Sequence, residues 1–74
     1  MSASLTPREL QVLRLAARDE PNKRIASRLG ISIKTVECYM NRVMQKTGAH
    51  TRCKLAHYAL HFGYVRNLFE GVEG

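Results

Sequence analysis

No Cys-x-x-Cys pair and no Cys/His ligand spacing occurs in this sequence, whose two cysteines are Cys38 and Cys53. That argues against the several-bridge framework of a small secreted domain. Two buried or half-buried free thiols in a reducing cytosol are expected instead. The opening Met1-Ser2-Ala3-Ser4 lacks the apolar stretch of a signal peptide, and no apolar run is long enough to cross a bilayer. A soluble, cytoplasmic protein with no membrane partner follows as the expectation. Strand alternation bounded by hairpin turns is also missing, so the fold class is expected to be all-α. There is no nucleophile with an orienting base, no glycine loop to cradle a phosphate and no paired carboxylates in a plausible pocket. With 74 residues, the chain supports one small core, and a deep catalytic cleft would remove much of it. A non-enzyme without cofactor or metal is expected.

Acidic residues are scarce where basic ones are dense. The net charge is +6, from 12 basic and 6 acidic residues. Residues 1–21 balance Arg8, Arg14 and Arg18 against Glu9, Asp19 and Glu20. Residues 22–54 carry Lys23, Arg24, Arg28, Lys34, Arg42, Lys46, Arg52 and Lys54 against Glu37 alone. A positive field concentrated in this way attracts polyphosphate backbones, although a solvated basic surface would show the same charge.

Caps and helical period place four helices. Thr6, Pro7 and Glu9 form a start signal with a capping box, after which Leu10, Leu13, Ala16 and Ala17 recur at helical spacing. The first helix fades over Arg18-Asp19-Glu20-Pro21. A short second helix is expected to be capped by Asn22, with Ile25, Ala26 and Leu29 turned inward. Gly30 supplies the left-handed residue of a tight turn, Ile31 plugs that turn, and Ser32 caps the third helix. The third helix runs to about Thr47 and stops at Gly48. The fourth starts near Thr51 and ends at Phe62-Gly63. Residues 1–4 and 67–74 are expected to be loosely held ends flanking one domain over 5–66.

Helix, short glycine-bearing turn, helix is the geometry of a helix-turn-helix unit. Ala26 has to be small because the next helix crosses close to it, and Ile25, Leu29, Ile31 and Val36 lock the pair. On the third helix, Val36, Tyr39, Met40, Val43, Met44 and Thr47 gather on one side at 100° per residue. Lys34, Glu37, Cys38, Asn41 and Gln45 gather on the other. A DNA major groove admits one helix and displays donor and acceptor patterns that such side chains match. Asn41 suits bidentate contact with adenine, Glu37 can accept from the cytosine amino group, and Cys38 can touch a thymine methyl. Lys34 lies on the same face. Asn22 and Lys23 at a helix N-terminus, Thr35 in the first turn of the third helix, and Arg42, Lys46 and Arg52 are the candidates for phosphate contact.

These residues resemble the LuxR/GerE-type helix-turn-helix domain, also found at the C-terminus of NarL/FixJ response regulators. The resemblance runs from Leu5-Thr6-Pro7-Arg8-Glu9 through Val12-Leu13 and Asn22-Lys23-Arg24-Ile25-Ala26. It continues through Leu29, Ile31-Ser32, Thr35-Val36, Lys46, Gly48, Arg52 and Ala56 to Gly63-Tyr64-Val65. It implies a four-helix domain whose third helix enters the major groove and whose fourth pairs in a dimer, in the service of bacterial transcription. Base contacts from Glu37, Cys38 and Asn41, and backbone contacts near Asn22, Lys23, Thr35 and Lys46, are implied with it. Tyr39 stands where the family usually has histidine, and Thr47 where it usually has leucine. Such domains mostly follow a receiver or small-molecule domain, and four residues precede Leu5 here, as in an excised domain or a stand-alone type.

On the fourth helix Leu55, Ala56, Ala59 and Phe62 form an inward stripe with Tyr58 and Leu60 at its edges. The resulting arc of roughly 200° is wider than one small core requires, which points to a partner surface. Lys54, His57, Tyr58 and His61 are the residues expected at a homodimer contact. His57 and His61 are also spaced for a metal, but no third ligand lies obviously within reach. Double-stranded DNA with a two-fold symmetric site is the expected partner, and RNA polymerase is a further candidate. Two readings compete: the promoter-recognising end of a sigma factor, which shares the Leu-Thr-Pro-Arg-Glu opening, and a helix-turn-helix module that binds protein only.

Overall fold

The computed structural model describes residues 4–64. Four helices follow one another: α1 (Pro7–Ala17), α2 (Asn22–Leu29), α3 (Ile33–Thr47) and α4 (Arg52–His61). There is no strand among the described residues, and none of their helices is long and apolar enough to cross a membrane. The tail expected after Arg66 lies outside the described residues.

Each boundary has a local cause. Thr6 Oγ1 accepts from the Glu9 amide at 3.1 Å, and Glu9 Oε1 accepts from the Thr6 amide at 2.9 Å, completing the capping box. Ser32 and Thr51 cap α3 and α4 by accepting from the amides of Thr35 and Lys54. The cap of α2 departs from expectation. Pro21 holds that position with no side-chain bond, and Asn22 is the first helical residue. Proline already fixes the extended approach, and the Asn22 side chain is drawn elsewhere, as described below.

Two helices end in the same paired turn. In α2 the Ile31 amide reaches back to the Ala26 carbonyl at 3.0 Å around Gly30, whose φ is +68°. In α1 the Glu20 and Asp19 amides reach the Leu15 and Ala16 carbonyls at 3.1 and 3.0 Å. The left-handed residue there is Asp19 (φ 63°), one of the few non-glycine types that tolerates the conformation. This turn brings α2 back onto α1 without a glycine.

The core joins all four helices. Val12 and Leu13 of α1, Ile25 of α2, Val36 and Val43 of α3, and Leu55 and Ala59 of α4 are fully buried. α1 touches each of the other three, and α2 packs on α3. Because α4 supplies Leu55 and Ala59, it is part of the fold and not an appendage.

Candidate nucleic-acid interface

The interface begins from the rigidity of the α2–turn–α3 unit. Ala26 is buried and Leu29 and Ile31 pack against the core, so α3 is fixed relative to α2 by apolar contacts on one side only. Val36, Met40 and Val43 are buried there, with Tyr39 and Met44 half-buried beside them. The opposite side is open. Lys34, Glu37, Cys38, Asn41, Arg42 and Gln45 are all exposed, so the structure brings the four expected base-reading residues onto one free helical face. Ile33, exposed at the first position of α3, stands beside them and was not among the expected residues. Its signal was the Ser32 cap, which places the following residue where a helix has not yet turned inward.

Cations and hydroxyls expected at phosphates fall into two groups. Lys23 and Arg42 are exposed, and the Arg42 guanidinium lies over the Tyr39 ring at 5.8 Å, a cation–π contact that steadies it at the edge of the open face. Thr35 is half-buried and shares a 2.8 Å hydrogen bond with the Ser32 hydroxyl, which also accepts from the Thr35 amide at 3.0 Å.

Lys46 and Arg52 form the second group, each engaged by partners within the domain. Lys46 Nζ donates to Glu9 Oε1 at 2.7 Å and to the Ser4 carbonyl at 3.2 Å. It therefore ties the last turn of α3 to the start of α1. Glu9 is only 2% exposed, and its carboxyl is held below its ordinary range by the Lys46 bond first and the Thr6 amide second, against the opposing effect of burial. Arg52 donates Nη1 to the Glu20 carbonyl at 2.7 Å and Nη2 to Asn22 Oδ1. It joins the start of α4 to the α1–α2 turn, and this is what draws the Asn22 side chain from its expected capping role. Both cations brace the domain from within.

Two of the family departures have structural consequences. Tyr39 serves as the platform for Arg42. Thr47 Oγ1 donates to the Val43 carbonyl at 2.8 Å and accepts from the Ala49 amide at 3.2 Å, so a hydroxyl closes the end of α3 just before the left-handed Gly48 (φ +75°).

On α4, Lys54, His57 and His61 are exposed and Tyr58 is half-buried. Phe62 was expected inside but is 57% exposed. Gly63 turns the chain back so that the Tyr64 amide bonds the Ala59 carbonyl at 2.8 Å, and Tyr64 then packs at the core's edge. Tyr58 sits between the two rings, 4.5 Å from Phe62 and 6.1 Å from Tyr64. Cys38 and Cys53 are both free and exposed, not the buried or half-buried thiols expected. Cys53 is on the outer side of its helix because Leu55 and Ala59 take the inner one. Among the described residues, no three metal-ligating side chains cluster.

A profile of the family described as bacterial regulatory proteins, luxR family, matches residues 3–59. The chain belongs to that family. Response regulator Rre1 of Synechocystis sp. is 43% identical over 58 residues, covering 78% of this chain and 25% of that protein. Oxygen regulatory protein NreC of Staphylococcus aureus is 43% identical over 56 residues, 76% of this chain and 26% of its own. The chain thus spans about a quarter of the length of these relatives. Membership of that family supports a role in DNA-binding transcription regulation.

Proposed function

We propose that this domain binds double-stranded DNA sequence-specifically as a homodimer, with α3 in the major groove of each half-site. The observation that carries the reading is the exposed face of Lys34, Glu37, Cys38 and Asn41 on a helix held rigidly by α2. Asn41 pairs with adenine, Glu37 accepts from cytosine, Cys38 meets a thymine methyl and Lys34 reaches a guanine or an adjoining phosphate. The α2 N-terminus, which no side chain caps, faces a phosphate with Asn22 and Lys23 beside it. Thr35 and Arg42 contact the backbone on the flank of α3.

Pairing through α4, at Lys54, His57, Tyr58 and His61, sets the two recognition helices about one turn of DNA apart. The Tyr58–Phe62 ring pair supports this, because it extends aromatic surface outward from the expected contact. The domain acts in the bacterial cytoplasm, and RNA polymerase is a partner of the DNA-bound dimer.

Selection from randomised duplexes followed by fluorescence anisotropy tests the proposal. A two-fold symmetric consensus is expected, and Asn41→Ala should lose about 1–3 kcal/mol of discrimination at one base pair per half-site. An unchanged consensus in the Asn41→Ala protein would place α3 in a different orientation. Absence of any consensus at physiological salt would overturn specific reading. The protein-only alternative predicts no DNA binding with a salt slope.

A further inference from the structure

Away from the open face of α3, the structure has a second cationic surface, which meets the proposed phosphate contact only at Lys23. Gln11, Arg14 and Leu15 of α1, Arg18 just after it, and Arg28 and Leu29 of α2 line an open cleft of about 250 Å³. Leu15 is buried and Leu29 half-buried, giving the cleft an apolar floor under arginines. Arg28 also lines a hollow of about 480 Å³ on the other side of α2, together with Lys23 and Arg24. The cationic surface is thus continuous around that helix.

Among the described residues, the acid beside Arg14, Arg24 and Arg28 is limited. Glu20 bridges Arg24 Nε at 3.3 Å and Arg28 Nη2 at 3.4 Å, both long for charge-assisted bonds. Arg24 and Arg28 keep 62% and 50% of their side-chain surface exposed. Arg14 donates Nε to the Tyr64 carbonyl at 2.9 Å, which anchors the guanidinium while its Nη edge has no partner among the described residues. Asp19 is exposed nearby, and Glu9 is buried against Lys46.

Position separates this surface from the groove. α1 packs on the buried side of α3, so the reading face is the side of α3 turned away from α1. The cleft opens between α1 and α2, on the side of α1 where Gln11 and Arg14 are exposed. A duplex seated on α3 leaves it uncovered.

We propose that the α1–α2 cleft docks an acidic segment of a partner protein, whose carboxylates pair with Arg14 and Arg28 while an apolar side chain seats on Leu15 and Leu29. Guanidinium forks match carboxylates two bonds at a time, and Glu20 already shows that a carboxylate is accepted beside Arg28. An apolar floor is of no use to a phosphate, so the combination favours peptide over nucleic acid. The inference does not rest on which DNA sequence is read, nor on the α4 dimer.

The test is a titration of the isotope-labelled domain with a synthetic peptide of glutamate and leucine, followed by amide chemical shifts. Shifts are expected at Arg14, Leu15, Arg28 and Leu29. The dissociation constant should rise about tenfold or more in an Arg14→Ser/Arg28→Ser variant, as for loss of two charge-assisted contacts. A peptide with serine in place of leucine should also bind more weakly. The variant must retain a dispersed spectrum, and an Arg14→Lys/Arg28→Lys variant, which keeps charge without the fork, should fall between the two. DNA affinity and its salt slope should stay unchanged in the serine variant. Shifts centred on α3, or equal binding by the leucine-free peptide, would overturn the proposal. So would a shallower salt slope for DNA in the serine variant, which would make the surface a phosphate contact instead.

Discussion

Replacing Glu9 with glutamine isolates the strongest polar contact in the domain. The carboxylate is almost fully buried, accepts from Lys46 Nζ at 2.7 Å and from the Thr6 amide at 2.9 Å, and glutamine preserves its size and the amide bond. What is lost is the charge assistance to Lys46, whose side chain is itself only 26% exposed. A hydrogen bond to a charged group contributes about 1.5–3 kcal/mol, and removing one partner of a part-buried pair leaves the other uncompensated. A cost of about 2 kcal/mol is therefore expected, on the order of 10 °C in melting temperature for a domain of this size. The pH dependence has a fixed sign. The folded Glu9 pKa lies below its ordinary value of 4.5, so the unfolded chain binds more protons in the interval between the two. The stabilisation is complete above the unfolded value and is lost as pH falls through the folded one. Urea unfolding between pH 3 and 7 should show this loss in the native protein and a flatter profile in Glu9→Gln. A cost under about 0.5 kcal/mol, the scale of an exposed pair, or an unchanged profile, would refute the ion pair as a structural tie.

Two other substitutions probe the turn and the proposed dimer. Gly30→Ala should destabilise by about 1 kcal/mol in thermal unfolding: the left-handed φ of +68° penalises a side chain, while no heavy atom lies within 4 Å of the added Cβ, so no clash adds to the strain. Lys54→Glu with His57→Glu should leave the melting temperature nearly unchanged, since both residues are exposed. The same pair of substitutions should weaken binding to a two-half-site duplex about tenfold or more while sparing a single half-site, as judged by anisotropy and sedimentation.

Most of the fold was legible because its signals are local. The capping box at Thr6, the caps Ser32 and Thr51, and the left-handed Gly30 and Gly48 depend on residues within a few positions of one another, and periodicity supplied the buried faces of α1 and α3. Failures came where a distant residue intervened. Asn22 has the right chemistry for a cap, but Arg52, thirty positions away, claims its oxygen. Phe62 has the right spacing for the inner stripe of α4, but the turn at Gly63 returns Tyr64 to that end of the core and leaves Phe62 outside. Sequence spacing along a helix says nothing of what the chain does after the helix ends.

The open face of α3 was legible in the sequence, whereas the internal partners of two cations were not, and the difference has a measurable consequence. A basic cluster counted from sequence treats every lysine and arginine as available to phosphates. Counting Lys23, Lys34, Arg42, Lys46 and Arg52 at about 0.9 counterions per neutralised phosphate gives a slope of log affinity against log salt near −4.5 per domain. Two of those five cations are held inside: Lys46 by Glu9 and Arg52 by Glu20 and Asn22. Breaking either tie to reach a phosphate would leave Glu9 buried and unpaired or release the start of α4 from α2, and a surface phosphate contact is too weak to offset that. Lys23, Lys34 and Arg42 remain, for a slope of about −2.7 per domain and about −5 for a dimer. A measured dimer slope near −9 would show that Lys46 and Arg52 leave their internal partners on DNA. In that event Lys46→Met should make the slope shallower by about 0.9 per domain, whereas the arrangement described here has it lower stability and leave the slope where it was.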